Sequence, residues 1–461
     1  MEYYSIGELC SITKGSTGIM KAVPGQYPLV TTGPERKSSS EYEFDDEAVC
    51  IPLVSSTGHG HKSLNYIHYQ SGKFALGTIL AAVIPKDKSV LSAEYLQRYL
   101  FFFKDQLVVS LMKGAANVSL AVRDIAKIQV PVPPINKQKE FIKLFNKAEE
   151  GKLSLLHENQ NQSSCLTKLR QAILQEAIEG KLTADWRKEN PVRKGDPDFD
   201  AEALLEKIQA EKEKLIKKGK IKKQKPLAPI KAEEVPFELP EGWVWCRLPQ
   251  ILDNGDSLRR GPFGSSITKS MFIKKSNNAT KVYEQKNAIY KNYELGDYYI
   301  NLSEHENLKS FLTMPGDIII SCAGTIGETY LLPEDAHQGV INQALLKIRL
   351  HQYFMNSLFF MIVFKAKTKT QINDDAKGTA MKNISSVEYL KNELCFPLPP
   401  LAEQQAIVDR VEKLLSMVDE LEKQVSERKE QSEQLMQAVL REAFEGKPTI
   451  SDNKTLEVNN A

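Results

Sequence analysis

Hydrophobic residues in the last fifth of the chain fall on a fixed rhythm. Ile407, Val411, Leu414, Val418, Leu421 and Val425 step alternately by four and three residues, which is the seam of a coiled-coil helix. Continued, the alternation lands on the polar Arg428 and Ser432 before Leu435 and Val439 restore it. A second stretch carries the same beat through Phe141, Phe145, Ala148, Lys152, Leu155, Asn159, Gln162, Leu166, Leu169 and Ile173. Both predicted helices are apolar at their ends and polar in the middle. Elsewhere the apolar runs shorten to strand length, at 27–30, 48–53, 79–84 and 128–132, then again at 317–322, 345–350 and 395–398. One helical pattern (93–111, with Leu96, Leu100, Phe103 and Leu107 on one face) interrupts the first group, and an aromatic-rich one (353–364) the second.

The two helical stretches are copies of one another. Residues 131–181 and 397–447 align without a gap at a constant offset of 266, so that Pro133, Pro134, Gln138, Leu169, Gln171, Ala172, Leu174, Glu176, Ala177, Gly180 and Lys181 recur as Pro399, Pro400, Gln404, Leu435, Gln437, Ala438, Leu440, Glu442, Ala443, Gly446 and Lys447. Pro134 and Pro400 suit a first helical position, and Gly180 and Gly446 the left-handed position past a helix end. At the same offset Asn117, Val118 and Ser119 fall on Asn383, Ile384 and Ser385, so the duplication reaches into the segments before each helix. The predicted organisation is a first globular domain at 1–134, a long helix at 135–183, a charged linker with a helical segment at 184–235, a second domain at 236–400, a second long helix at 401–447 and a tail at 448–461. The linker is read as exposed because it ends in the basic run at 217–225 and three prolines follow.

Composition narrows the function classes. Of 461 residues 41% are hydrophobic and 26% charged, as in an ordinary globular protein, and the net charge of +2 gives no global sign of a polyanionic partner. Any such signal is local. The six cysteines are scattered without a C-x-x-C pair, so neither a zinc site nor a disulfide framework is expected, and reduced thiols in a cytoplasm are. The longest apolar run, 74–84, falls short of a membrane span, and residues 1–9 lack the apolar core of a signal peptide. No Asn/Asp-Pro-Pro-aromatic motif of an amino-methyltransferase and no G-x-x-x-x-G-K-[ST] phosphate loop is present, so catalysis is expected of a partner.

Two helices of about 45 residues, each about 65–70 Å long, must bury their seams. Pairing with each other in antiparallel fashion satisfies both and implies an approximate two-fold axis through the polar middle, with an unlike globule at either end. Such a molecule suits a target with two separated half-sites, as duplex DNA offers about every 34 Å. An interaction scaffold joining two ligand-binding globules without nucleic acid has the same geometry.

The stretches PLPPLAEQQAIVDRVEKL, LREAFEGK, QEAIEGKLTADWR and LPEGWVWCRL together resemble the specificity subunit of type I restriction-modification systems, and RRGPFGSSITKS, MPGDIIISCAGTIG and KGTAMKNIS in the second globule resemble that family's target-recognition domains. SSTGHGHKS at 55–63 departs from the simpler S-G-T-I-G loop the resemblance would place there. The resemblance implies an α+β fold in which two similar mixed α/β target-recognition domains are separated by the antiparallel helix pair. It implies that each domain reads one half of an asymmetric bipartite site in double-stranded DNA and that the helices set the gap. Two methyltransferase subunits carrying S-adenosylmethionine would dock on the helices. A restriction subunit using ATP and Mg would join in a full system and be missing from a methylation-only complex, and the resemblance leaves that choice open. No cofactor, no metal and no membrane association are expected of this chain, and it is expected to be non-catalytic alone.

Candidate DNA contacts follow from residue type and loop position. Arg36 and Lys37 precede a serine run, and His59, His61 and Lys62 form a polar loop whose lone H-x-H is a poor metal site. In the second globule Arg259, Arg260, Phe263 and Ser265 lie in a glycine-rich loop, Ser321 and Thr325 at a strand end, and Lys377, Thr379 and Lys382 in a further glycine loop, where they would reach bases or phosphates. Plain solvated turns are the alternative for each. Asn159, Gln162, Arg428 and Ser432 are candidates for fixing the register of the helix pair.

Overall fold

The computed structural model describes residues 2–445 apart from 58–59, 116, 224–225, 255, 263–265, 324, 352 and 375–385. Two compact units divide the chain, residues 1–161 with 425–461 and residues 162–424. Each cut passes through a long helix near its polar middle, so each unit owns one end of both helices.

The first unit begins with β1 (Tyr3–Ser5) and β2 (Cys10–Lys14), followed by β3 (Tyr27–Val30), β4 (Lys37–Ser39), β5 (Phe44–Asp45), β6 (Ala48–Pro52), β7 (His68–Gln70), β8 (Lys73–Leu76), β9 (Leu80–Pro85) and β10 (Gln129–Pro131). One antiparallel sheet has the order β2-β9-β6-β7 and another β4-β3-β8-β5 with a parallel β3–β8 pair, while β1 pairs with β10. The second unit holds β11 (Val244–Arg247), β12 (Leu258–Arg260), β13 (Ala279–Tyr283), β14 (Tyr299–Asn301), β15 (Leu312–Thr313), β16 (Ile318–Ser321), β17 (Thr329–Leu331), β18 (Gly339–Ile341), β19 (Leu345–Ile348) and β20 (Cys395–Leu398). Its sheets run β12-β19-β16-β17, β14-β13-β18-β15 with a parallel β13–β18 pair, and β11-β20. Every strand of the first unit therefore has its counterpart ten strands later. The fold is α+β and duplicated, far beyond the helix stretches in which the repeat is visible as sequence.

Burial explains the strand runs. Ala48–Pro52 is buried at every position and so is Ile318–Ser321, because these central strands have both faces covered, and their sequences are continuously apolar rather than alternating. Helix Ala93–Phe102 closes the core of the first unit with Tyr95, Leu96, Tyr99 and Leu100, and helix Ser357–Asp374 brings Phe359 and Phe360 into that of the second.

The long helices span Ile135–Ile178 and Leu401–Glu445. Each starts one residue later than its proline pair suggests: the carbonyls of Pro134 and Pro400 accept from the N–H groups of Gln138 and Gln404, at 3.1 Å in both copies, so the prolines stand just outside the helix. Gly180 takes the expected left-handed turn at φ 72°, and Gly446 lies outside the described residues. In the first unit the Phe444 ring packs 5.6 Å from Phe141 and 5.4 Å from Phe102. In the second the helices run antiparallel, since Arg170 meets Asp419 and Glu422 while Thr183 and Arg187, farther along, meet the earlier Glu403. The seam is less regular than its rhythm suggests. Leu155, Leu169, Leu421 and Leu435 are exposed, whereas Met436 and Leu440 pack inward. A 3.6-residue helix rotates by about 20° per heptad against a 3.5-residue pattern, which carries such positions off the buried face.

The segment after Gly180 is only in part the exposed linker expected: it contains the expected helix and its basic run is exposed, but the helix itself is packed. Helices Ala184–Glu189 and Ala201–Lys217 form within it, and Ala201, Leu204 and Ile208 are fully buried. It also caps the second long helix, whose Leu401 and Ala402 N–H groups donate to the carbonyls of Pro197 and Asp198. Beneath that cap the buried Glu403 accepts from Thr183 Oγ1 (2.6 Å), Trp243 Nε1 (2.7 Å) and Arg187.

Candidate nucleic-acid interface

Strand direction gathers the loops that matter. β2 and β6 both pair antiparallel with β9 and so run parallel to each other, which brings their C-terminal ends to one edge: Lys14 sits opposite Ala81 and Pro52 opposite Leu80. β12 and β16 do the same around β19, with Arg260 opposite Leu346 and Ser321 opposite Leu345. Each unit thus presents two adjacent loops, one after the first strand of the sheet and one after its central strand.

In the first unit the loop after β6 folds back on itself. Ser55 Oγ donates to the His61 carbonyl (2.6 Å) and accepts from the Ser63 N–H, while Thr57 Oγ1 and Ser63 Oγ are 2.8 Å apart. Gly60 is left-handed (φ 80°), and a Cβ there would stand 2.3 Å from the Ala115 carbonyl. The loop therefore lies against the 113–119 segment, itself tied by the Lys113–Ser119 and Val54–Ser119 bridges. His61 and Lys62 are exposed on it; His59 lies outside the described residues. Lys37 is exposed on β4. Arg36 is otherwise placed: its guanidinium donates to Gln70 Oε1 (2.9 Å) and the Tyr69 carbonyl (3.2 Å) and lies 3.1 Å from His68 Nδ1. Burial, then the Arg36 charge, push His68 down to about 4, so its ring is neutral at neutral pH and can accept from Arg36. This guanidinium is spent on the sheet.

In the second unit Arg259 is exposed and paired with Asp256, whose carboxyl that hydrogen bond holds below the usual range. Arg260 bonds the carbonyls of Gln343 (3.2 Å) and Cys322 (3.5 Å), joining the two loops. Gly261 then passes so close to Asn342 that a Cβ would meet its carbonyl at 1.8 Å. Ser321 is buried and shapes its loop, donating to the Thr325 carbonyl (2.5 Å) and accepting from the Glu328 N–H (3.0 Å). Thr325 is exposed at the tip. The structure brings Arg259, Arg260, Ser321 and Thr325 to one edge; Phe263, Ser265, Lys377, Thr379 and Lys382 lie outside the described residues.

Topology adds a residue that the sequence pattern does not single out. Lys14 ends β2 as Arg260 ends β12, and Gly15 follows as Gly261 does, with its Cβ position 2.5 Å from the Leu76 carbonyl. A signal exists as K-G-S-T-G against R-G-P-F-G, but it falls at an offset of 246 rather than the 266 that aligns the helices. The loop behind Lys14 is anchored by Glu43, which accepts from the Ser16 N–H (2.8 Å) and Thr17 Oγ1.

Of the register candidates, Asn159, Gln162 and Ser432 are half-buried and Arg428 is exposed. Asn159, Arg428 and Ser432 belong to the first unit and Gln162 to the second. Among the described residues no group of three or more His, Cys, Asp or Glu side chains could hold a metal ion, and no helix is long and apolar enough to cross a membrane. Cys10 and Cys50 are buried, and burial pushes both thiols up to about 12.

The model for the type I restriction modification DNA specificity domain matches residues 1–163 and 263–431. The chain is 31% identical to the Type I restriction enzyme EcoAI specificity subunit of Escherichia coli over 55% of its own length and 40% of that protein's, and 26% identical to the EcoDI specificity subunit of the same organism over 96% and 88%. It thus spans under half of the first relative and most of the second. Among solved structures, the HsdS subunit from Thermoanaerobacter tengcongensis shares the fold (16% identity, TM-score 0.52, 96% of each chain). So does a chain from a study of complex assembly and conformational transition of the type I R-M system (16%, TM-score 0.57, 96% and 97%). With nearly three quarters of its residues inside the matched ranges and the duplicated topology running through both, the chain belongs to the type I restriction modification DNA specificity family.

Proposed function

We propose that this chain is the DNA-specificity subunit of a type I restriction-modification complex, in which each globular unit reads one half of an asymmetric bipartite duplex site. The observation that carries this reading is a strand order repeated element for element beneath loops that differ. A shared scaffold explains why both units would address the same kind of target, and unlike loops explain why the two half-sites would differ. SSTGHGHKS stands after β6 where SCAGTIGE stands after β16, and Lys14 where Arg260 does. Base contacts fall to the exposed Lys62, Arg259 and Thr325, and backbone contacts to Lys14 and Lys37. The long helices set the separation of the half-sites and dock two methyltransferase subunits, which would hold S-adenosylmethionine. ATP and Mg would belong to a restriction subunit where one joins. This chain itself holds orientation and sequence choice, with no reacting group of its own.

Co-expression with its modification subunit in a methylation-free host, followed by methylation-sensitive sequencing, tests the proposal. Modified adenines in a motif of two unlike halves separated by a fixed unspecified gap are expected. A continuous motif, or no modification by an assembled complex, overturns it.

A further inference from the structure

The most basic stretch of the molecule is held against the second unit rather than left loose. Between Glu213 and Glu233 the sequence has eight lysines and no acid, in a chain whose net charge is only +2. On the N-terminal side, helix Ala201–Lys217 is fastened by Lys212, buried at 6% exposure, whose Nζ donates to the carbonyls of Pro249 (2.8 Å) and Gln250 (2.9 Å). On the C-terminal side the chain is fastened by Arg247, buried at 2%, which pairs with Glu234 and bonds the carbonyls of Ala228 and Pro229. Between these anchors Gly219 turns left-handed (φ 70°), and the Lys220 N–H closes back on the Leu215 carbonyl at 2.9 Å, giving the helix a defined end. Lys217, Lys220, Lys222 and Lys223 are exposed and make no ion pair among the described residues. Three of them border a cleft of about 720 Å³ whose wall includes Trp245 and Arg247 and whose one acid is Glu213.

This strip follows a helix fastened at Pro249 and Gln250, a few residues before the candidate reading loop of Asp256 and Arg259. The Arg259 hydrogen bond holds the Asp256 carboxyl low, with the Lys222 charge adding the least of several contributions, and all three residues lie within one compact unit. Resting on the reading of the chain as a DNA-specificity subunit, we infer that Lys217, Lys220, Lys222 and Lys223 form a phosphate-gripping strip that holds the duplex backbone beside the half-site addressed by the Arg259 loop. Lysine suits such a grip, because a point charge on a flexible stem neutralises a phosphate whatever the base sequence. The two anchors keep four such charges together at one edge, which lowers the entropic cost of engaging them. The strip has no counterpart in the described part of the first unit, so the two half-sites would be held with unequal strength.

The test uses the complex assembled with its methyltransferase partner and a duplex carrying the complex's own methylation motif. Substituting Lys217, Lys220, Lys222 and Lys223 with Gln should reduce the slope of log affinity against log salt by about 2–4, since each phosphate contact contributes about 0.9. Affinity should fall at least tenfold at low salt for cognate and scrambled duplexes alike, with the methylated motif unchanged. The pair K222Q with K223Q should give about half the change in slope, and both variants should keep the wild-type Tm because the side chains are exposed. An unchanged slope overturns the strip, as does a loss confined to co-purification of the methyltransferase subunit, which would make it a protein-docking surface. A wild-type complex showing no salt-dependent duplex binding would overturn instead the specificity-subunit reading on which the strip rests.

Discussion

Gln138 and Gln404, 266 residues apart, share two equivalent bonds in the two halves of the chain. Gln138 Oε1 accepts from the Ser92 N–H (2.9 Å) while its Nε2 donates to the carbonyls of Pro133 and Val90 (both 2.8 Å). Gln404 Oε1 accepts from the Asn356 N–H (2.8 Å) and its Nε2 donates to the Pro399 carbonyl (3.2 Å). Ser92 and Asn356 each stand immediately before the helix that closes the core of their unit, so each glutamine pins the start of a long helix to the start of a core helix. Both side chains are fully buried.

Replacing Gln404 by Leu keeps the volume and strands an N–H and a carbonyl away from water. Each costs about 1–3 kcal/mol, so the second unit should lose about 2–6 kcal/mol. A urea titration followed by tryptophan fluorescence reads this directly, since all three tryptophans, Trp186, Trp243 and Trp245, belong to that unit. An unaltered midpoint would show that the pin carries no stability.

His68 gives the first unit a pH dependence of definite sign. Its folded value of about 4 lies below the ordinary 6.5, so between those values the unfolded chain binds the extra proton and the folded one does not. Stability is therefore full above about pH 6.5 and is lost as pH falls towards 4, by up to about 3 kcal/mol at 1.36 kcal/mol per unit. Thermal midpoints at pH 7 and pH 5 should differ more in the wild type than in His68→Gln. Parallel profiles for the two proteins would exclude His68 as the source.

What is legible in the sequence follows from where its information is local. The long helices are visible because a seam of apolar residues repeats over about five turns, and the core strands because burial on both faces makes them continuously apolar. The pairing of β2 with β9 across 66 intervening residues leaves no such mark, and so the shared edge of Lys14 and the 55–63 loop is visible only in the topology. Arg36 shows the converse. Its residue type and its place before a serine run suit DNA contact, yet nothing local reveals that His68, Tyr69 and Gln70 arrive beside it from another strand. The anchoring of the linker is hidden for a similar reason: its lysines advertise solvent, while polar anchors such as Lys212 and Arg187 are themselves charged and pack against carbonyls and Glu403.

Helix pairing in the second unit is open to a charge-reversal test. Arg170 donates to both carboxylate oxygens of Glu422 (3.0 and 2.9 Å) and also bonds Asp419. Solvent reaches these groups, so Arg170→Ala should cost no more than about 1 kcal/mol. Arg170→Glu, which adds repulsion, should cost more, and combining it with Glu422→Arg should recover about 1 kcal/mol in a double-mutant cycle on Tm or urea midpoint. Strict additivity of the two changes would mean that the helices do not meet at this register.

The ruler role proposed for the long helices makes the sharpest claim. Deleting one heptad from each, at residues 155–161 and 427–433, removes about 10 Å of helix at 1.5 Å per residue and leaves every loop around Lys14, Lys62, Arg259 and Thr325 untouched. A duplex rises about 3.4 Å per base pair, so the unspecified gap of the methylation motif should shorten by about three base pairs while both half-site sequences stay the same. Because the deleted positions are mostly exposed, the variant should fold and assemble, which co-purification with the methyltransferase subunit checks independently. If an assembled variant methylates the original motif at its original spacing, the helices do not set the gap, and separation must come from the globular units or from the partner subunits.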